Sequence, residues 1–393
     1  MTREPVRLLL VVDSLEVGGA ERQVVDLALA LGRGGHEVTV ACSKAGDLSG
    51  ALEEAGIPVR PLLDRLAKRR LSPAYAWRLR RLLRRERFDL VHAHIYASVV
   101  AAAIATLETD VPLVITEHTE ATWQTWRARW VSRWVYRRVE RIIAVSSPIR
   151  RRLIERDGVH PDLITIVPNA VAPPPELPPD PPRPAEPRPA EPLPAEPRPL
   201  VGAIARLQPE KGVANFLKAA AHVAPLFPEA HFVIAGDGPL RQDLIALAEN
   251  LSLGDRVHFL GFRSDASALM RSLDVLVVPS LTEGSPLVTL EAMAAGTPVV
   301  ASAVGGIPDQ VRHDREGLLV PPGETGAMGD AILALLRDPD RARRLGESGR
   351  RRATSEFGHA AMVRRIEDVY TEVLGRPAAQ SIAPEEPELR TTR

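Results

Sequence analysis

A proline-rich segment divides this chain into two parts. Residues 173–199 contain 14 prolines in 27 positions, including three copies of PAEP at a five-residue period. Proline lacks a backbone N–H and has a fixed φ, so this segment is predicted to be extended polyproline-type chain rather than helix or sheet. The 393 residues are too many for one ordinary core. We therefore predict a first domain at 1–172, a linker at 173–199, a second domain at 200–376 and a disordered tail at 377–393.

Short apolar runs alternate with amphipathic stretches on both sides of the linker. The runs include VRLLLVVD, EVTVAC and DLVHAHI in the first part, and LVGAIAR, HFVIAGDG and DVLVVPS in the second. They are mostly continuous, which is typical of parallel strands covered on both faces. We predict an α/β protein with two Rossmann-like, doubly wound domains. Ligands of such sheets bind beyond the carboxyl ends of the strands, so the predicted site is the cleft between the domains.

Composition excludes several classes of protein. The single cysteine, Cys42, excludes an intramolecular disulfide and a thiolate metal cluster, and it fits a reducing compartment. No apolar run approaches the ~18 residues that span a bilayer. The apolar core of the N-terminal RLLLVVD is too short for a signal peptide. We expect a cytoplasmic protein without a nucleic-acid partner.

Two segments of the predicted first domain combine arginine with aromatic residues. Residues 65–87 carry ten basic side chains and one acidic one, and residues 123–141 interleave arginines with Trp123, Trp126, Trp130 and Trp134. Helical spacing places the tryptophans on one stripe. A buried stripe and solvated arginines are one interpretation of these segments. The other is peripheral contact with anionic lipid at the inner face of a membrane, or contact with a phosphorylated acceptor.

A glycine loop follows the first predicted strand. In SLEVGGAE, residues 14–21, Gly18 and Gly19 let the backbone approach a ligand, and the helix N-terminus behind them favours an anion. A tight turn without a ligand fits this loop equally well. The loop lacks the G-x-G-x-x-G fingerprint, which argues against a nicotinamide oxidoreductase.

Two cations follow the first strand of the second part. In ARLQPEKG, Arg206 lies at the strand end and Lys211 at the start of the next helix. Arginine can fork onto two phosphate oxygens and lysine supplies a point charge, so the pair suits a diphosphate. The alternative is two solvated surface cations.

Two carboxylates stand eight positions apart in EGSPLVTLEAMAAGTPVVAS, residues 283–302. Glu283 follows a predicted strand and should lie in a loop at its carboxyl end. We predict Ser285 as the N-cap of the next helix and Pro286 as its first residue. Glu291 then falls in the second turn.

Free backbone N–H groups at 284–288 should lie between these carboxylates. This arrangement suits a ligand with a hydroxyl-bearing ring at each end and negative charge in the middle, such as a nucleotide sugar. Glu291 would then accept from the ribose and Glu283 from the sugar. The alternative is an exposed loop glutamate and an unrelated helix glutamate.

These segments resemble glycosyltransferase family 4, whose members are retaining enzymes with the GT-B fold. The resemblance rests on ARLQPEKG, AGDGP, FLGF and EGSPLVTLEAMAAGTPVVAS, and in the first part on GGAERQVVDLA, HAHI, ITEH, AVS and VPNAV. It covers Val6 to about Gly375. The long proline-rich linker departs from the family pattern, which leaves the geometry of domain closure open.

The resemblance implies roles for particular residues. It implies catalytic roles for His118 and Glu283, and ribose binding by Glu291. The donor diphosphate would be bound by Arg206, Lys211, Gly18 and Gly19, and the donor sugar and phosphates by the loop Gly284, Ser285, Pro286 and Leu287. His92 and His94 receive no role, and since they lie on a strand we expect one of them to face the core.

The resemblance further implies transfer of a sugar from a UDP- or GDP-sugar to a lipid-linked or envelope polysaccharide glycan. We expect no metal or other cofactor, because the cations and the helix N-terminus can stabilise the leaving diphosphate. DPD at 338–340 resembles a metal motif but falls between predicted helices, so we interpret it as a helix stop and cap. Retention could proceed through a covalent intermediate or by front-face attack guided by the leaving phosphate. No carboxylate is an obvious nucleophile, and the resemblance implies the front-face route. A nucleotide-sugar epimerase and a non-catalytic nucleotide-sugar-binding protein are the alternatives.

Overall fold

The computed structural model describes residues 5–67, 72–120, 125–171, 199–263 and 265–375. The predicted linker, apart from Pro199, and the predicted tail lie outside these ranges.

The first part of the chain forms a seven-stranded parallel sheet in the order β3-β2-β1-β4-β5-β6-β7. Its strands are β1 (Arg7–Ser14), β2 (Glu37–Lys44), β3 (Val59–Pro61), β4 (Leu90–His94), β5 (Leu113–Glu117), β6 (Arg141–Ala144) and β7 (Ile164–Ile166). Its helices are α1 (Gly19–Arg33), α2 (Ser49–Glu54), α3 (Pro73–Arg85), α4 (Tyr96–Ala105), α5 (Trp126–Tyr136) and α6 (Ser147–Glu155). The strand order reverses between β1 and β4, which is where a doubly wound sheet opens a crevice for ligand.

The second part forms a six-stranded parallel sheet in the order β10-β9-β8-β11-β12-β13. Its strands are β8 (Leu200–Ile204), β9 (His231–Ala235), β10 (Val257–Gly261), β11 (Val275–Val278), β12 (Val299–Ser302) and β13 (Gly317–Val320). The helices that follow are α7 (Val213–Val223), α8 (Arg241–Asn250), α9 (Ala266–Ser272), α10 (Leu287–Ala295), α11 (Ile307–Gln310), α12 (Thr325–Arg337), α13 (Pro339–Glu356) and α14 (His359–Val373). The predicted architecture of two doubly wound α/β domains is confirmed.

The continuous apolar runs are explained by burial on both faces of each sheet. In β1, residues 8–12 are all fully buried. Leu8, Leu10 and Val12 join one core cluster, whereas Leu9 and Val11 join the cluster on the opposite face. Neither face tolerates a polar residue there, so the strand shows no alternation.

The last helix, α14, packs on the first domain. Four of its residues share a core cluster with Leu8, Leu10 and Val12 of β1. They are Met362, Ile366, Val369 and Tyr370. The predicted second domain, 200–376, included this helix because it comes last in the chain, but its packing contacts are with the first sheet. The apolar stripe of α14 predicted burial without indicating the partner.

The chain therefore returns to the first domain just before α14. At that point Val171, the last described residue before the proline-rich segment, forms a parallel bridge with Gly358. The backbone N–H of Val171 donates to the carbonyl of Phe357 at 2.9 Å. The end of the first domain and the returning chain are thus hydrogen-bonded side by side.

The packing of α14 leads to a prediction about stability. All five tryptophans lie between residues 77 and 134, so tryptophan fluorescence reports unfolding of the first domain. Ile366→Ala should lower the urea midpoint of this signal, because truncating a buried isoleucine costs about 2–5 kcal/mol. Arg364→Ala, at an exposed position of the same helix, should leave it unchanged. An unaltered midpoint for Ile366→Ala would contradict this packing.

Candidate functional site

A cleft of about 510 Å³ lies between the carboxyl ends of the two sheets. The first domain lines it with the loops after β1, β4 and β5, and the second domain with those after β8 and β11. Ten of the predicted site residues line this cleft: Gly18, Gly19, His118, Arg206, Lys211, Glu283, Gly284, Ser285, Pro286 and Leu287. The other one, Glu291, lies on α10 and is not among the residues that line the cleft.

Two helix N-termini meet at the cleft. Helix α1 begins after Gly18 and helix α10 begins after Pro286, and neither has a side-chain cap. The two ends are close, since a Cβ on Gly19 would lie 3.8 Å from the Leu287 side chain. Uncapped N–H groups carry the positive end of the helix dipole, so both helices favour an anion in the cleft.

The predicted cap of α10 is wrong by one residue. Pro286 is the N-cap rather than the first helical residue, and the helix begins at Leu287. Ser285 does not cap the helix, because its Oγ accepts a hydrogen bond from Gln310 Nε2 at 3.0 Å. The backbone N–H groups that a serine cap would have used are therefore left for another acceptor.

Glu283 and Lys211 form an ion pair at the second-domain wall of the cleft. Lys211 Nζ lies 2.7 Å from Glu283 Oε1, which also accepts from Ser280 Oγ at 2.8 Å. The Glu283 side chain is 8% exposed, so its carboxylate is held in one orientation. Arg206, by contrast, is exposed where it lines the cleft. Its guanidinium is the more accessible of the two predicted phosphate-binding cations.

Gly284 brings the two domains into contact. A Cβ at this position would collide with the backbone carbonyl oxygen of His118 in the first domain. Next to this contact, Asn169 Nδ2 donates to the Ser285 carbonyl at 2.7 Å. The loop that precedes α10 is therefore fixed against the first domain by its backbone.

Comparison with known proteins identifies the family. Two family models match, Glycosyltransferase Family 4 over residues 17–173 and Glycosyl transferases group 1 over residues 186–352. The D-inositol 3-phosphate glycosyltransferase of Thermobispora bispora is 31% identical across 92% of this chain and 91% of its own length. This chain belongs to glycosyltransferase family 4. It is therefore an enzyme of the glycosyltransferase class.

Further comparisons of this family 4 glycosyltransferase give another relative by sequence and a solved structure. An Escherichia coli enzyme named UDP-Gal:alpha-D-GlcNAc-diphosphoundecaprenol alpha-1,3-galactosyltransferase is 26% identical across 86% of this chain and 89% of its own length. The crystal structure of Anabaena HepE in complex with UDP-glucose superposes with a TM-score of 0.78 at 24% identity, covering 93% of this chain and all of HepE. At that identity the likeness shows the GT-B fold alone, and it confirms the fold predicted from the sequence.

The glycosyltransferase has two buried histidines, His92 and His94, behind His118, which itself lines the cleft. His118 Nε2 lies 3.1 Å from His94 Nδ1, and His92 is hydrogen-bonded to Thr116 Oγ1 at 2.7 Å and to Tyr370 Oη at 2.6 Å. The expectation that only one residue of His92 and His94 faces the core is wrong. Both are buried, since residues two apart on a strand share a face.

Burial keeps these histidines uncharged. It lowers the pKa of His118 to about 4 and the pKa of His92 to about 3. Both imidazoles are therefore neutral near pH 7. His118 can take part in hydrogen bonds, but it brings no positive charge to the cleft.

Sequence reasoning missed the glycines that support the loop at 283–287. A Cβ at Gly305, which has a φ of +51°, would collide with the Glu283 carbonyl. The N–H of Gly306 donates to the Gly284 carbonyl at 2.9 Å. The signal available was the Gly-Gly pair that follows the predicted strand PVVAS after two intervening residues.

The DPD segment acts as a helix cap, as predicted. Asp338 Oδ1 accepts from the Arg341 N–H at 2.9 Å at the start of α13.

Within the described ranges, no group of three or more His, Cys, Asp or Glu side chains is arranged to hold a metal ion. Over the same ranges, no helix is long and apolar enough to cross a bilayer.

The close contact at Gly284 leads to a second prediction. Gly284→Ala should prevent full closure, because the new Cβ has no room against the His118 carbonyl, and overpacking costs about 1–3 kcal/mol. Small-angle scattering should report a larger radius of gyration. Gly326→Ala is the matched control, since a Cβ there meets nothing within 4 Å. Equal radii for wild type and Gly284→Ala would show that the contact does not limit closure.

Proposed function

We propose that this glycosyltransferase moves a sugar from a UDP- or GDP-sugar to a glycan acceptor with retention of configuration. The observation that carries the proposal is the convergence of two uncapped helix N-termini, Arg206 and Lys211 on one cleft. Each of these groups favours an anion of the size of a diphosphate. The structural neighbour HepE is described in complex with UDP-glucose, which supports a nucleotide-sugar donor here.

Stabilisation of the leaving diphosphate is the main task that we assign to the cleft. Expulsion of the diphosphate develops negative charge, which preorganised donors stabilise. Lys211 is already matched by Glu283, so Arg206 and the backbone N–H groups of α1 and α10 should contribute most. We propose that these groups act without a bound metal or other cofactor.

We propose front-face transfer rather than a covalent intermediate. Glu283, a carboxylate that lines the cleft, is hydrogen-bonded to both Lys211 and Ser280, which makes it a poor nucleophile and a good acceptor for sugar hydroxyls. In this route the bond from the sugar to the diphosphate breaks, the acceptor hydroxyl bonds to the same face, and its proton passes to the leaving phosphate oxygen. A glycosyl-enzyme adduct detected by mass spectrometry would overturn this route.

Nucleotide titration tests the assignment of the phosphate site. Arg206→Ala should weaken binding of UDP or GDP about 10- to 100-fold, because a hydrogen bond to a charged group contributes about 1.5–3 kcal/mol. Lys211→Ala should have a smaller effect, since it also frees Glu283. Lys218→Ala, at an exposed position of α7, is the control. Calorimetry showing wild-type affinity for Arg206→Ala would refute the assignment.

The two glutamates should separate binding from transfer. Glu283→Ala should reduce sugar transfer more than nucleotide affinity, and Glu291→Ala should do the reverse. No observation favours the epimerase or the non-catalytic alternative over transfer, because the matching relatives are named glycosyltransferases.

We further propose a lipid-linked or envelope polysaccharide acceptor, and a cytoplasmic enzyme that docks on the inner face of a membrane. The E. coli relative is named for a diphosphoundecaprenol acceptor. Trp126, Trp130 and Trp77 are 66%, 69% and 60% exposed, so the buried interpretation does not hold for them. Arg127 stacks over Trp126 and Arg81 over Trp77, a combination that suits anionic lipid headgroups. Trp123 lies outside the described residues.

Vesicle sedimentation tests this docking. The wild type should bind vesicles that contain phosphatidylglycerol and should bind pure phosphatidylcholine poorly, since charge and aromatic burial both contribute. A Trp126→Ala, Trp130→Ala double variant should lose most of this binding. Phe262→Ala is the control, because Phe262 is equally exposed at 66% but lies in the second domain. Undiminished binding of the double variant would exclude α5 as the contact.

A further inference from the structure

We propose that Arg22 is a positioning residue for nucleotide recognition, holding the Glu291 carboxylate so that one of its oxygens can accept from the ribose. No role was predicted for Arg22 from the sequence. The inference rests on the nucleotide-sugar function proposed above.

The proposal starts from a contact across the two domains. Arg22 Nη1 on α1 donates to Glu291 Oε1 on α10 at 3.2 Å. The Glu291 side chain is 23% exposed and that of Arg22 is 49% exposed. The other carboxylate oxygen, Oε2, has no hydrogen-bond partner among the residues that the structure describes. One oxygen is thus held while the other remains free for a ligand hydroxyl.

The location of Arg22 is not explained by its own helix. Arg22 is the fourth residue of α1, near the positive end of the helix dipole, whereas cations stabilise the opposite end. Its guanidinium points instead at a carboxylate that is distant in sequence. The contact with Glu291 accounts for a cation at this position.

Charge around Glu291 makes Arg22 important for the state of the carboxylate. Burial raises the pKa of Glu291 and the nearby Asp26 carboxylate raises it further, whereas Arg22 lowers it by its charge and its hydrogen bond. Asp26 itself faces Arg22 and His359, whose Nε2 lies 3.6 Å away. Without Arg22, burial and Asp26 both favour the neutral acid, which accepts hydrogen bonds less well than a carboxylate.

The ion pair of Arg22 and Glu291 also couples nucleotide recognition to the arrangement of the domains. Arg22 belongs to the first domain and Glu291 to the second, so the bond forms only when α1 and α10 are adjacent. The Gly284 contact with His118 and the bond from Asn169 to Ser285 require the same arrangement. A ribose held by Glu291 therefore benefits from the closed cleft.

Three ligands separate this role from its alternatives. They are UDP or GDP, whichever the wild type binds more tightly, the matching 2′-deoxynucleoside diphosphate, and inorganic pyrophosphate. Arg22→Met should weaken binding of the ribonucleotide about tenfold, as expected for loss of one charge-assisted hydrogen bond. The same substitution should weaken binding of the deoxynucleotide less, and it should leave the affinity for pyrophosphate unchanged. Arg22→Lys should restore part of the ribonucleotide affinity.

A double-mutant cycle shows whether Arg22 acts through Glu291. Arg22→Met should cause no further loss of ribonucleotide affinity in the Glu291→Gln background. Arg60→Met is the matched control, because Arg60 forms a similarly exposed ion pair with Glu86 at 3.1 Å on the first domain. It should leave all three affinities unchanged.

Two outcomes would overturn the role of Arg22, and a third would remove the proposed function itself. Unchanged or tighter ribonucleotide binding by Arg22→Met would overturn the proposal, the tighter case meaning that Arg22 competes with the ribose. Equal losses for the ribonucleotide and pyrophosphate would also overturn it, since Arg22 would then contact the phosphates. Failure of the wild type to bind any of the three ligands would instead remove the proposed function on which the inference rests.

Discussion

The close approach of two backbones, at Gly284 and His118, is the constraint on which the cleft depends. No side chain separates the domains at this point, so only glycine is accommodated in the loop before α10. Gly305 and Gly306 support the same loop from behind. With the loop fixed in this way, the N-terminus of α10 faces the N-terminus of α1 across one volume. The anion-binding character of the cleft thus follows from backbone packing.

The charges of the cleft are distributed unevenly. Lys211 is balanced by Glu283, and burial keeps His118 neutral. Arg206 and the N-terminus of α10 therefore supply positive potential that these effects do not compensate, whereas the Glu21 carboxylate already lies beside the N-terminus of α1. An anion placed between the domains would interact mainly with these groups, and the paired glutamate would remain available to accept from neutral hydroxyls.

The sequence predicted what depends on local pattern and missed what depends on distant partners. Continuous apolar runs identified the strands because both faces of each sheet are covered. Most of the predicted site residues line the cleft at the carboxyl ends of the strands, as their spacing in the sequence indicated. By contrast, Ser285 does not form the predicted helix cap. Its hydroxyl oxygen instead accepts a hydrogen bond from Gln310, which lies 25 residues away in the sequence. The bond between Arg22 and Glu291 joins residues 269 apart, and no local pattern indicates it. The burial of α14 was visible in its sequence, but the choice between two similar sheets was not.

The return of the chain to the first domain before α14 changes how the domains are tethered. The polypeptide passes between them twice, and the bridge from Val171 to Gly358 binds the start of one crossing to the end of the other. At this bridge the two crossings are held together by backbone hydrogen bonding. The second crossing also limits how far the domains can separate, whatever the length of the first. The proline-rich insert could therefore lengthen or shorten in evolution without releasing one half of the active site from the other.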